Sequence, residues 1–167
     1  MDVRQILLDT ESALRDFVTV IMKQQYGDDW IYQSGLSDDR LDILSKKQES
    51  ASKTRISMQE ENRVLNQSNL IDLKTILTRN WVGDFELCFG DLNTVGVYLS
   101  TLHRYYDSDA NNRALLTHQK HLILGISGFL RNRMVVYRSW KDGDKQGFPK
   151  IESVRDNLGN LWVPGKP

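Results

Sequence analysis

Arg131, Asn132 and Arg138 stand close together at the end of one long apolar stretch, with Tyr137 among them. A guanidinium offers a planar fork of donors that fits two oxygens of one phosphate, and an amide adds a donor and an acceptor. At 100° per residue, Arg131 and Arg138 fall within about 20° of each other on a helix, two turns apart, whereas Arg133 points elsewhere. Two arginines on one stripe suit bidentate binding of phosphate oxygens, so Arg131, Asn132 and Arg138 are the candidate anion-binding residues. Proton transfer would need another group. The phenol of Tyr137, with an ordinary pKa near ~10, is a poor base at neutral pH and better suited to positioning a phosphate. His121 lies ten residues before Arg131, about 15 Å along a straight helix, and His118 lies further back. Neither reaches the same phosphate within one chain. The competing reading of the stretch is structural: Arg131 pairs with an acidic side chain of a neighbouring helix, and Asn132 caps or kinks.

Other chemistry finds less support. No glycine-rich phosphate loop and no HExxH pattern occur. His118 and His121 have a spacing that can hold a metal, but only Asp107 and Asp109 could fold over to join them, and no metal or cofactor is expected. The expected pattern is a surface His118 and a half-buried His121. Asp38, Asp39 and Asp42 are explained by capping at a helix start. Cys88 is the single cysteine, which excludes an intramolecular disulfide and a cysteine zinc site. Lys and Arg number 22, as do Asp and Glu, so bulk charge disfavours a surface that coats nucleic acid and leaves only a local basic patch.

The elements that must position these residues are helical. Apolar residues recur at three- and four-residue spacing from Val3 to Met22, with Asp2 as N-cap and Gly27 as C-cap. Asp28 to Tyr32 form a loop whose aromatics pack back on the core. A polar helix starts at Ser37-Asp38-Asp39 and runs to about residue 63, broken or frayed near 50–57. Asn69 to Asn80 form another helix, with Leu70, Ile71, Leu73, Ile76 and Leu77 inward. Trp81 to Phe85 turn into the short piece Glu86 to Phe89. Asp91 caps a helix to about Tyr106, and Asp107 to Asn112 form a turn cluster. The last helix spans 113 to about 138, and Lys141 to Asp144 form a turn. The fold class expected is all-α: an up-down bundle of four to five helices over 1–140, with a C-terminal tail, 141–167, packing on or extending from it. With 40% hydrophobic residues, no signal peptide and no apolar run of membrane-spanning length, a cytoplasmic protein with no membrane partner is expected.

Four of these segments together resemble the HEPN superfamily, and within it the Swt1-like domains. Tyr26-Gly27-Asp28-Asp29-Trp30 is similar to a YGxxW step. Asn80-Trp81 to Phe85 and Phe89 are similar to an NWxxF…F segment, preceded by Leu73 to Leu77. Leu130-Arg131-Asn132-Arg133 ends the long helix, and Asp156 to Asn160 are similar to a tail that often follows. The resemblance covers most of residues 1–140. It implies a helical bundle that homodimerises, with the motif helices lining a cleft at the interface. It also implies metal-independent ribonuclease chemistry, with an Arg and, four to six residues later, a His. Such proteins serve in toxin–antitoxin, abortive-infection and other anti-phage systems. Arg131 and Asn132 match the first half of that motif. Val136 falls at the histidine position and cannot move a proton, a loss worth about 10²–10⁴-fold in rate. Arg113 and His118 share the bare spacing but lack the polar residue after Arg. The expectation is therefore a homodimeric RNA- or nucleotide-binding defence protein with weak or no ribonuclease activity and a possible antitoxin or defence-system partner. Two alternatives stand beside it. One is a ligand-free dimerisation module. The other is an active ribonuclease using His118, His121 or Tyr137 across a dimer, with Arg131, Tyr137 and His118 as the catalytic candidates.

Overall fold

The computed structural model describes residues 2–52, 65, 67–110, 114–146, 154–155 and 161–162. Among these residues there are six α-helices: α1 (Val3–Tyr26), α2 (Asp38–Ser52), α3 (Leu70–Arg79), α4 (Glu86–Phe89), α5 (Leu92–Ala110) and α6 (Thr117–Gln146). A 3-10 turn, Trp30–Gln33, precedes α2, and a wider turn, Trp81–Phe85, joins α3 to α4. In the tail, Val154–Arg155 pairs antiparallel with Leu161–Trp162. The class is all-α, and this two-residue pairing is the strand content among the described residues.

Local signals set the helix ends. The Asp2 carboxylate accepts from the backbone N–H groups of Arg4 and Gln5, at 3.0 and 3.4 Å. Gly27 closes α1 with φ of 78°, a conformation open to glycine. Asn69 and Asp72 form a reciprocal capping box at the start of α3. Asp91 accepts from the Thr94 N–H at 3.0 Å and starts α5.

Side-chain ties fix the helix directions. Arg15 of α1 reaches the Ser68 carbonyl, just before α3, at 2.9 Å. Tyr26, at the end of α1, donates to Asn80, just after α3, at 3.3 Å. These two helices therefore run parallel. α2 begins beyond Ser34, whose carbonyl accepts from Asn80 at 3.0 Å, and its Gln48 meets Gln67 at 3.2 Å, so it runs the other way. Leu115 and Lys120, at the start of α6, line a cavity with Asp2 and Val3, while Tyr137 meets the turn that Gln25 also contacts. Thus α6 runs with α1, and α5 returns between α4 and α6. The five longer helices among the described residues go up, down, up, down and up.

The core lies between α1, α3, α5 and α6. Phe17, Val18 and Met22 meet Leu73, Ile76 and Leu77, then Val95, Leu99 and Leu102, then Ile123, Leu130 and Met134. Each such side chain stabilises by about 1.5–3 kcal/mol when fully buried. Phe17 sits centrally, 5.8 Å from the Phe89 ring and 6.0 Å from that of Tyr137, both edge-on. Trp30 and Ile31 pack back on the core as expected, but Tyr32 stays exposed.

Several boundaries differ from the sequence expectation. Ile71 is exposed rather than inward, because with Thr75 and Thr78 it forms the outer stripe of α3. α5 continues through the expected turn cluster to Ala110, since Asp and Ser disfavour a helix only mildly and no proline stops it. α6 starts at Thr117, where the Gln119 side chain accepts the Leu116 N–H at 2.9 Å. It runs through the expected turn at Lys141 to Asp144 and ends at Gln146, so Gly143 is tolerated within it, as are Gly125 and Gly128. His121 is exposed rather than half-buried, because it lies on the side of α6 opposite Ile123 and Ile126. Of the expected break near 50–57, residues 50–52 are the helical end of α2, while 53–57, Arg113 and most of the tail lie outside the described residues.

Candidate functional site

The stretch from Arg131 to Lys141 divides by its helical phase. Leu130, Met134 and Tyr137 face the core. Arg131, Asn132, Val135 and Arg138 face out. Arg131 and Asn132 make no hydrogen bond or ion pair with another described residue, so the structural ion pair weighed for Arg131 is not seen among them. Arg138 shares the stripe with Arg131, about 10 Å further along the axis. Its guanidinium carbon stands 5.8 Å from the centre of the Phe17 ring, covering the edge of the aromatic cluster. Arg133, two residues from Arg131, turns inward instead. Its Nη2 donates to the Phe89 carbonyl at 3.4 Å, and the guanidinium lies 5.5 Å from the Phe129 ring. Burial lowers its pKa below the usual arginine value, with the nearby Cys88 opposing.

Val136 is 9% exposed and packs as an ordinary apolar side chain. Tyr137 has a different task from the one its type suggested. Its phenol donates a short hydrogen bond to Asp84 Oδ1, and its ring stands edge-on to Trp140 at 5.9 Å. Burial first, then the bond to Asp84, pushes its pKa well above the tyrosine range, so it is held neutral. His118 is exposed at the first turn of α6, thirteen residues before Arg131 or about 20 Å along the axis. The described residues thus put Arg131 and Arg138 on one stripe, with the exposed Asn132 about 100° round from Arg131, and bring neither His118 nor the Tyr137 hydroxyl to that stripe.

Sequence reasoning missed Asp84. Its Oδ1 accepts from Tyr137 and from Lys141 Nζ at 2.9 Å, and its Oδ2 accepts from Gln25 Nε2 at 3.0 Å. Burial works against its charge, yet the hydrogen bonds from Tyr137, Lys141 and Gln25 outweigh it and hold the carboxyl below the ordinary Asp range. The turn that carries it depends on Gly83, whose φ of 118° suits glycine. The signals available were this Gly-Asp step and the four-residue spacing of Tyr137 and Lys141. Asp84 was legible as a turn residue; its three partners were not.

From Thr117 to Lys141, α6 carries five Lys or Arg residues and no Asp or Glu, in a chain whose net charge is zero. Of these five, Arg133 turns inward and Lys141 pairs with Asp84, so Lys120, Arg131 and Arg138 are the ones that face out. No cluster of three or more His, Cys, Asp or Glu side chains fit for a metal occurs among the described residues. No described helix is long and apolar enough to cross a membrane. Compared with family models, with curated proteins and with solved structures, the chain finds no match in any of the three.

Proposed function

We propose that the protein is a HEPN-like, homodimeric RNA- or nucleotide-binding protein of a microbial defence or toxin–antitoxin-type system, cytoplasmic, with weak or no ribonuclease activity. The observation that carries the reading is the unengaged pair Arg131 and Asn132 on the acid-free strip of α6, with Arg138 on the same stripe. The Arg131 guanidinium, with no partner among the described residues, is available for phosphate oxygens, and no carboxylate on that stretch of α6 repels it. Weak catalysis follows from Val136 at the histidine position and from the engagement of Tyr137 with Asp84. The exposed Val135 and Leu122 on the same helix favour a second reading, a dimerisation or partner-docking module with no ligand.

Fluorescence anisotropy with a labelled single-stranded RNA at low salt decides between them. The expected result is binding that weakens as salt rises, with Arg131→Ala reducing affinity by roughly 10-fold while the circular dichroism stays unchanged. Wild-type affinity in that variant sinks the proposal. Sedimentation equilibrium measures the dimer. Incubation of RNA with excess chelator measures cleavage, expected to be at background.

A further inference from the structure

Building on the phosphate-binding reading, we infer that Asp84 is a positioning residue for the arginine edge: it fixes the rotation of the last turns of α6 and thereby the direction of Arg138. Tyr137 and Lys141 lie four residues apart on α6, one turn of the same face, and both donate to one oxygen of Asp84. Two points on one face held by one fixed acceptor stop a helix from rolling about its axis. Arg138 lies between them in sequence, 100° round from Tyr137, so its direction follows theirs. The acceptor is itself fixed. Gln25 of α1 donates to its other oxygen at 3.0 Å, and the non-helical backbone at Val82 and Gly83 presents it toward α6.

Phe17 completes the device. Its ring touches Tyr137 on one side and lies under the Arg138 guanidinium on another, at 6.0 and 5.8 Å. Rolling α6 would move Arg138 off that ring. Arg131, two turns earlier, is held by Leu130 and Met134 in the core and lies outside the reach of Asp84. The device therefore acts on one arginine of the edge and leaves the other alone.

This asymmetry makes the inference testable. In Asp84→Asn, RNA affinity falls by roughly 3- to 10-fold, and in an Arg138→Ala background the same change has an effect below about 2-fold. In an Arg131→Ala background it keeps its full size. Equal effects in all three backgrounds mean a general loss of structure and overturn the inference. A ligand-free measurement separates this from failure of the binding reading. The Phe17 ring current shifts the Arg138 side-chain protons upfield in the NMR spectrum, and in Asp84→Asn that shift collapses while the Arg131 protons stay in place. Tyr137→Phe, which removes one bond and keeps the ring, is the milder variant should Asp84→Asn fold poorly, and it gives a smaller change of the same kind. An unmoved Arg138 signal in both variants overturns the inference even where the protein binds RNA. A moved signal in a protein that binds no RNA leaves the positioning standing and removes the phosphate-binding reading alone.

Discussion

Arg131 and Tyr137 are six residues apart on one helix, yet they belong to opposite kinds of region. Around Tyr137 every strong polar group has found a partner: phenol, ammonium and amide all converge on one carboxylate. At Arg131 a guanidinium and a neighbouring amide extend to solvent with no partner among the described residues. The first region has satisfied its hydrogen bonds internally and so resists ligands. The second leaves its donors unused by the fold and can give them to something else. Residue type does not distinguish the two, since both hold groups able to bind phosphate. Helical phase does, because it decides which side chains meet the turn at Asp84.

Substitutions can break this contrast or sharpen it. The largest effect is expected at the ring that Tyr137 and Arg138 both lie against: Phe17→Ala should cost about 3–5 kcal/mol in urea unfolding, because it empties the aromatic cluster. Next comes Asp84→Ala, which leaves three donors without their acceptor and should cost about 1–3 kcal/mol. Lys141 is half-exposed, so its ion pair supplies little of that.

The same node predicts the pH dependence. Asp84 has a lowered folded pKa, so its contribution is present above the unfolded value of about 4 and is lost as pH falls below it. Tyr137 has a raised folded pKa, so its contribution is full below about 10 and declines as pH rises beyond. Unfolding curves across pH should show the acid limb flattened in Asp84→Asn and the alkaline limb flattened in Tyr137→Phe; unchanged limbs would refute the node's role. Arg131→Ala should lie within about 0.5 kcal/mol of wild type, since nothing in the described fold uses the guanidinium. A larger loss of stability would erase the contrast. An effect of the opposite sign is expected at Ser127, whose hydroxyl is buried with no partner among the described residues. Ser127→Ala should be neutral or stabilise by up to about 1 kcal/mol in the same assay.

Much of the fold was readable from periodicity and caps. Asp2, Asn69, Asp91 and Gly27 mark their ends because each supplies a local hydrogen bond or a backbone conformation that the chain needs at that point. The ends of α5 and α6 were misread because polar residues and Gly143 look like turns in sequence, whereas a helix already supported by its core face runs on through them. At the candidate site, Arg131 and Arg138 were legible together from their spacing along one helix. The fates of Arg133 and Tyr137 were not, because they depend on what α4 and the turn before it place alongside α6. Gln25 and Asp84 are 59 residues apart, and no local pattern announces that pair.

Among the described helices, α1 starts at one end of the bundle and α6 finishes at the other. Asp2 lies beside the start of α6 and Gln146 at its end, roughly 45 Å apart by the length of α6. A label or fused domain ahead of Asp2 would thus sit beside His118 and Lys120, a full helix length from the Asp84 turn. Probes at the two poles would report the length of the folded bundle as a single distance, and a purification tag is best attached ahead of Asp2, where it leaves Arg131 and Arg138 uncovered.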